Sequence, residues 1–185
     1  IIKMSKVTVP SVCRRHERTR YMQDLMRNQF YKQRSDFELS AIERDKTQVM
    51  PEGVSVQTDI PYMNDGDKAH RMDVYRPEGS ESTTLPVVIN IHGGGLLIGS
   101  KEFNRFFCAK LSRLGYLVFS IEYRLVPDCM VFDQFSDVCN AFKYINAHLG
   151  EYNGDSNHIY GVADSGGAYL LTYTAAMAKN RELAK

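Results

Sequence analysis

Ile159-Tyr160-Gly161-Val162-Ala163-Asp164-Ser165-Gly166-Gly167-Ala168-Tyr169-Leu170 is the stretch on which the fold turns. Its apolar start predicts a short buried strand, its centre a very tight turn, and its end the first turns of a helix. Ser165 stands in the turn, with Ala163 and Gly167 two residues away on either side. This small-x-Ser-x-small pattern answers a steric need. Such a turn puts the serine in a strained backbone conformation, and a bulky side chain two residues either way would collide with the neighbouring chain. The following helix aims its free N–H groups and positive dipole end at the serine, which favours a developing oxyanion. The bland alternative is a strand-to-helix turn holding a hydrogen-bonding serine.

A second stretch weighs against the bland reading. Leu85-Pro86-Val87-Val88-Ile89-Asn90-Ile91-His92-Gly93-Gly94-Gly95 is an apolar run that ends in three glycines. A glycine-rich loop after a strand can present backbone N–H groups to an oxyanion, because no Cβ blocks the approach. A tight-turn serine downstream of a His-Gly-Gly-Gly loop is a specific pairing.

The remaining chain fits an α/β domain. Met22, Leu25, Met26, Gln29 and Phe30 fall at helical spacing within a helix expected from about Val12 to Arg44. This predicts an amphipathic helix that packs its apolar stripe on the core. Met50-Pro51-Glu52-Gly53 ends the helical region. Val54–Ile60 alternates and, with Arg71–Arg76 after the Asn64-Asp65-Gly66 turn, predicts an antiparallel hairpin at a sheet edge. Val87–Ile91 is continuously apolar, as suits a parallel strand covered on both faces. A helix from Phe103 to Leu114 and a strand at Leu117–Ile121 follow. Phe135, Val138, Phe142, Ile145 and Leu149 then recur at spacings of three and four, which predicts a further helix.

The 185 residues carry a net charge of +1, which argues against nucleic acid as an obligatory partner. Residues 1–50 hold 11 Lys and Arg against 6 Asp and Glu; the remainder hold 12 against 16. The basic cluster Arg14, Arg15, Arg18 and Arg20 is expected to be a solvated helix face. Cys13, Cys108, Cys129 and Cys139 show no metal-ligand spacing and are expected to be reduced thiols in a cytoplasmic compartment. No run suits a membrane anchor, Ile1 to Met4 is too short and too soon polar for a signal peptide, and a start at Ile suggests that the natural terminus lies upstream.

Four segments, in order and spacing, are similar to the hormone-sensitive-lipase-like branch of the α/β-hydrolase family, which includes carboxylesterases and arylacetamide deacetylases. They are Met72-Asp73-Val74-Tyr75-Arg76-Pro77, Ile91 to Gly95, Glu122-Tyr123-Arg124-Leu125-Val126-Pro127-Asp128 with Asp137 ten residues after Pro127, and Asp164-Ser165. The resemblance implies an α/β-hydrolase fold: a mostly parallel sheet flanked by helices, with an antiparallel N-terminal hairpin. It implies a helical cap segment over residues 1–50 and the N-terminal part of the hydrolase domain over 51–185. It further implies hydrolysis of small to medium acyl esters by Ser165, with an oxyanion hole from Gly94, Gly95 and Gly166, and with His92, Gly93 and Asp164 as motif support. No cofactor and no metal are implied.

The chain departs from the family pattern at three places. Ala163 replaces a glycine, and Leu96 follows the glycines where an aromatic residue is usual. The family carries its acid and its His after the serine, whereas the 20 residues beyond Ser165 hold one acid, Glu182, and no His. His16, His70, His92, His148 and His158 all precede it. The resemblance therefore implies a C-terminally truncated, inactive piece of a longer hydrolase, prone to self-association or homo-oligomers through an unpaired strand edge. The competing expectation is a non-catalytic small-molecule-binding module, as in the plant gibberellin receptors of this branch; amide hydrolysis by the same residues is a third.

Overall fold

In the computed structural model residues 11–180 are described, with side chains from residue 19 onward. The opening residues Ile1 to Met4, the side chains of Cys13, Arg14, Arg15, His16 and Arg18, and Glu182 lie outside the described residues.

Helix α1 (Ser11–Asp45) leads into a hairpin of β1 (Val54–Pro61) and β2 (Arg71–Pro77). Strand β3 (Leu85–Ile91), helix α2 (Arg105–Arg113), strand β4 (Leu117–Ile121), helix α3 (Val131–His148), strand β5 (Gly154–Ala163) and helix α4 (Ser165–Lys179) follow. The strands form one sheet in the order β1-β2-β4-β3-β5. The hairpin is antiparallel, as its sequence predicts, and β2 joins β4 antiparallel. β4, β3 and β5 run parallel. Every residue of β4 is buried, and β3 is buried except at Pro86. Their continuous apolar runs fit strands covered on both faces.

One face carries Met72, Val74, Ile89, Ile91, Phe119 and Ile121 packed on Val138, Ala141 and Ile145 of α3 and Leu170 of α4. The other carries Tyr75, Val88 and Val118 packed on Cys108 and Ala109 of α2. Each fully buried aliphatic side chain of this kind contributes about 1.5–3 kcal/mol through removal from water. The result is a helix–sheet–helix layering with the C-terminal ends of β3, β4 and β5 opening on one rim.

Two expectations are corrected. Strand β5 is longer than Ile159–Val162 and is not buried, with Ile159 38% and Tyr160 51% exposed; its position at the sheet edge is the one expected. It pairs only with β3 among the described residues, so its apolar side chains lack cover. The apolar stripe of α1 is exposed as well: Met22 is 53%, Leu25 48% and Met26 54% accessible. Among the described side chains of α1, the partly buried positions are Phe30, Arg34, Phe37, Ala41, Arg44 and Asp45. That contact line passes through two arginines, so hydrophobic periodicity could not reveal it. Arg34 and Tyr31 bind Asp128, the Phe37 ring packs tilted against that of Phe103 with centroids 4.9 Å apart, and Arg44 lies 4.6 Å over the Phe103 ring.

Candidate active site

β5 ends at Ala163, and α4 begins two residues later at Ser165, which has φ +46°. A non-glycine residue in this left-handed region is strained, and the strain is local to the turn. Gly167 must be small, because a Cβ there would overlap the backbone carbonyls of Ile91 and His92. Ser165 is exposed and accepts no hydrogen bond from the described residues. Gly166, within the first turn of α4, has an N–H with no helical partner.

The glycine loop sits against this turn. A Cβ built on Gly166 would stand 3.1 Å from the Gly95 nitrogen and 3.0 Å from that of Leu96. Gly94, Gly95 and Leu96 take φ of +119°, +61° and +68° in succession. The carbonyls of Gly93, Gly94 and Leu96 are engaged, while the N–H groups of Gly94 and Gly95 are not. Gly93 O accepts from His92 Nδ1 at 2.8 Å. Gly94 O accepts from the Leu97 and Ile98 nitrogens, and Leu96 O from Val126 N at 3.0 Å. The N–H groups of Gly94, Gly95 and Gly166 donate to no described residue.

His92 is fully buried and stacked on Tyr123 with ring centroids 4.3 Å apart. Its Nε2 donates to Glu122 Oε1 at 2.9 Å, and Tyr123 Oη donates to His92 O at 2.8 Å. Burial alone lowers the imidazole pKa, but the Glu122 carboxylate and the Gly93 carbonyl together hold it above the ordinary histidine value. Both ring nitrogens therefore act as donors, and His92 is a brace for the loop. Glu122 Oε2 in turn accepts from Lys101 N at 2.9 Å.

Asp164 accepts from Gly93 N at 3.1 Å and from Asn104 Nδ2 at 3.0 Å, which ties the serine turn to the glycine loop. Gly93 has no room for a side chain, since a Cβ would overlap the Asp164 carboxylate. The Glu122-to-Asp128 segment is held by Asp137, which takes Arg124 Nη2 at 2.7 Å and His70 Nε2 at 3.0 Å.

All of the residues singled out in sequence are thus brought to one rim: Ser165 and Gly166, Gly94 and Gly95, and behind them His92, Gly93 and Asp164. The roles of Glu122, Asn104, Gln134 and Arg34 were not legible. Glu122 carried a signal only as the first residue of a motif; the other three are polar helix or turn residues with no local mark. The other described histidines are engaged elsewhere. His70 binds Asp65 and Asp137, His148 the Tyr144 carbonyl, and His158 Asp155. Burial pushes the thiols of Cys108 and Cys129 up to about 12 and about 11, which makes these two poor alternative nucleophiles. The clefts under α1, of about 270 and 470 Å³, are not lined by Ser165. No helix of the described residues is long and apolar enough to cross a membrane.

Comparison with known proteins agrees with this architecture. Esterase B from Lactobacillus rhamnosis superposes with a TM-score of 0.84 at 26% identity, over 88% of this chain and 52% of that one. The hyperthermophilic esterase of Pyrobaculum calidifontis does so at 0.69 and 30% identity, over 83% of this chain and 48% of that one. In sequence, the probable carboxylic ester hydrolase LipM of Mycobacterium tuberculosis is 31% identical over 123 residues, 62% of this chain and 28% of that protein. A probable isoprenylcysteine alpha-carbonyl methylesterase of Arabidopsis thaliana is 31% identical over 105 residues, 57% of this chain and 22% of that protein. The chain thus spans about half the length of the solved structures and about a quarter of the curated relatives. The BD-FAE profile matches residues 72–185, from the second strand through the serine turn and its helix, and the chain belongs to that family of the α/β-hydrolase fold.

Proposed function

We propose that this chain carries the nucleophile and oxyanion hole of a serine carboxylic-ester hydrolase acting on small to medium acyl esters. The observation that carries the reading is the packing of Gly166 on Gly95, with engaged carbonyls on one side and unengaged N–H groups of Gly94, Gly95 and Gly166 on the other. Ser165 Oγ attacks the ester carbonyl carbon and its proton passes to a histidine outside the described residues. The carbonyl oxygen becomes an oxyanion that accepts from the three N–H groups. Collapse expels the alcohol, which takes the proton back. Water then adds to the acyl-serine by the same route and releases the acid.

The esterase names of the relatives support ester rather than amide chemistry. Esterase B was solved with a tributyrin phosphonate inhibitor, which supports short acyl groups for this site too. On this reading residues 1–185 alone lack a general base and do not turn over. The second reading, a non-catalytic small-molecule binder, is favoured by one observation: each described histidine has other partners. Turnover of p-nitrophenyl butyrate by the full-length protein, lost in Ser165→Ala, separates the two. A full-length protein that binds but never hydrolyses esters would support the binder.

A further inference from the structure

We propose that Arg34 and Gln134 are positioning residues for the oxyanion loop. From α1 and α3 they grip the carbonyls on which the loop turns, and so fix the direction of the Gly94 and Gly95 N–H groups. This inference rests on the ester-hydrolase reading above.

The loop cannot hold itself. Two of its residues are glycines with positive φ, and glycine moves between such conformations at little steric cost. The third, Leu96, occupies the same region at φ +68°, where a side chain is strained and external contacts must maintain it. Its side chain packs against the core, and its hydrogen bonds among the described residues are all on the carbonyl side. Gln134 Nε2 donates to Leu96 O at 2.9 Å and to Arg124 O at 2.8 Å. Arg34 Nε donates to Leu97 O at 3.2 Å, Nη2 to Val126 O at 2.9 Å, and Nη1 to Asp128 Oδ2 at 2.8 Å. Each side chain thus bridges the glycine loop to the segment after β4, from opposite helices.

Neither is explained as an ordinary structural group. Gln134 is fully buried, and its Oε1 has no partner among the described residues. A buried amide whose acceptor is wasted is present for its two donors. Arg34 resembles a surface ion pair with Asp128, and such pairs contribute little. Yet two of its three bonds go to backbone carbonyls, and only a planar fork reaches all three acceptors; lysine cannot. The partly buried line Phe30, Arg34, Phe37, Ala41, Arg44 on α1 places this fork over the loop. Helix α1 then serves the reaction through the loop that Arg34 holds.

The test is made in the full-length protein, with kcat expressed per serine titrated by a fluorophosphonate, so that misfolded molecules do not count. Arg34→Ala, Arg34→Lys and Gln134→Met are each expected to lower kcat for p-nitrophenyl acetate about 10-fold, with KM within about twofold, since loop misplacement acts on the transition state. Arg34→Lys failing to rescue marks the fork rather than the charge. Unchanged kcat per titrated serine in Arg34→Ala and Arg34→Lys would overturn the inference, even if Gln134→Met fails to fold. Ser165→Ala is run in parallel. Its full activity would remove the site reading itself, whereas a dead Ser165→Ala beside a wild-type Arg34→Ala would remove only the positioning role.

Discussion

The Gly93 backbone N–H donates to Asp164 Oδ1 at 3.1 Å, so the first glycine of the loop and the residue before Ser165 form one hydrogen-bonded unit across 71 residues of sequence. Asn104 Nδ2 shares the same oxygen at 3.0 Å. The glycine loop and the serine turn are therefore tied together through this carboxylate.

Removing that carboxylate should cost stability and rate together. Asp164→Ala leaves the buried Gly93 N–H without an acceptor, an expected loss of about 1–3 kcal/mol. Asp164→Asn keeps an acceptor oxygen and should lose less. Gly93→Ala should be the worst of the three, because its Cβ would overlap the Asp164 carboxylate and backbone. Urea denaturation of the three variants gives the order directly; an Asp164→Ala protein as stable as wild type would show that the bond is dispensable.

Gly94 tests the loop from the other side. Its φ is +119°, and a Cβ would overlap the Ile98 carbonyl. Gly94→Val in the full-length protein is expected to lower kcat by about 100-fold or more, the cost of losing an oxyanion donor. Circular dichroism establishes that the variant is folded. A folded Gly94→Val with wild-type kcat would mean that the loop has another task.

How much of this was legible follows from what sequence encodes locally. The glycine loop and the serine turn were legible because their requirements are steric and fall on adjacent residues: Gly167 under the Ile91 and His92 carbonyls, and Gly94 under Ile98. The hairpin and β3 were legible because period-two and continuous apolar runs report how many faces are covered. The direction of α1 was not. Helical spacing identifies a stripe but not where the body lies, and the stripe that docks carries Arg34 and Arg44 rather than Met22 and Leu25. Ile159 and Tyr160 read as buried because apolar residues predict burial without saying which chain supplies the cover. Gln134 reaches Leu96 across 38 residues and Arg34 reaches Leu97 across 63, distances at which no sequence pattern operates.

The His92–Glu122 pair sets a pH dependence. The folded pKa of His92 is raised above its ordinary 6.5. A raised folded-state pKa stabilises fully below the unfolded value and is lost as pH rises through the folded one. Melting temperature relative to Glu122→Gln should therefore fall as pH climbs from about 6 towards 9, spanning histidine's range. The difference between the two proteins isolates the pair from other titrations. A difference that grew with pH would show that His92 is neutral in the fold.

Strand β5 gives the fourth prediction. Its outer edge has no strand partner among the described residues, and Tyr160 is 51%, Tyr169 44% and Tyr173 50% exposed nearby. An unpaired apolar edge recruits other chains. The 185-residue chain expressed alone should elute as dimers or larger species in size exclusion with light scattering, and Tyr160→Lys should shift it towards monomer. A monomeric wild-type chain with a sharp thermal transition would contradict this.

Ser165, strained at φ +46° beside the glycine loop, is the proposed nucleophile. The most direct measurement is to treat the full-length protein with a fluorophosphonate and locate the adduct by peptide mass spectrometry. One adduct per chain is expected, on Ser165, with loss of ester hydrolysis in proportion to labelling and no adduct in Ser165→Ala. Ester hydrolysis that persists with Ser165 unlabelled, or an adduct that forms on another residue and abolishes activity, would contradict it.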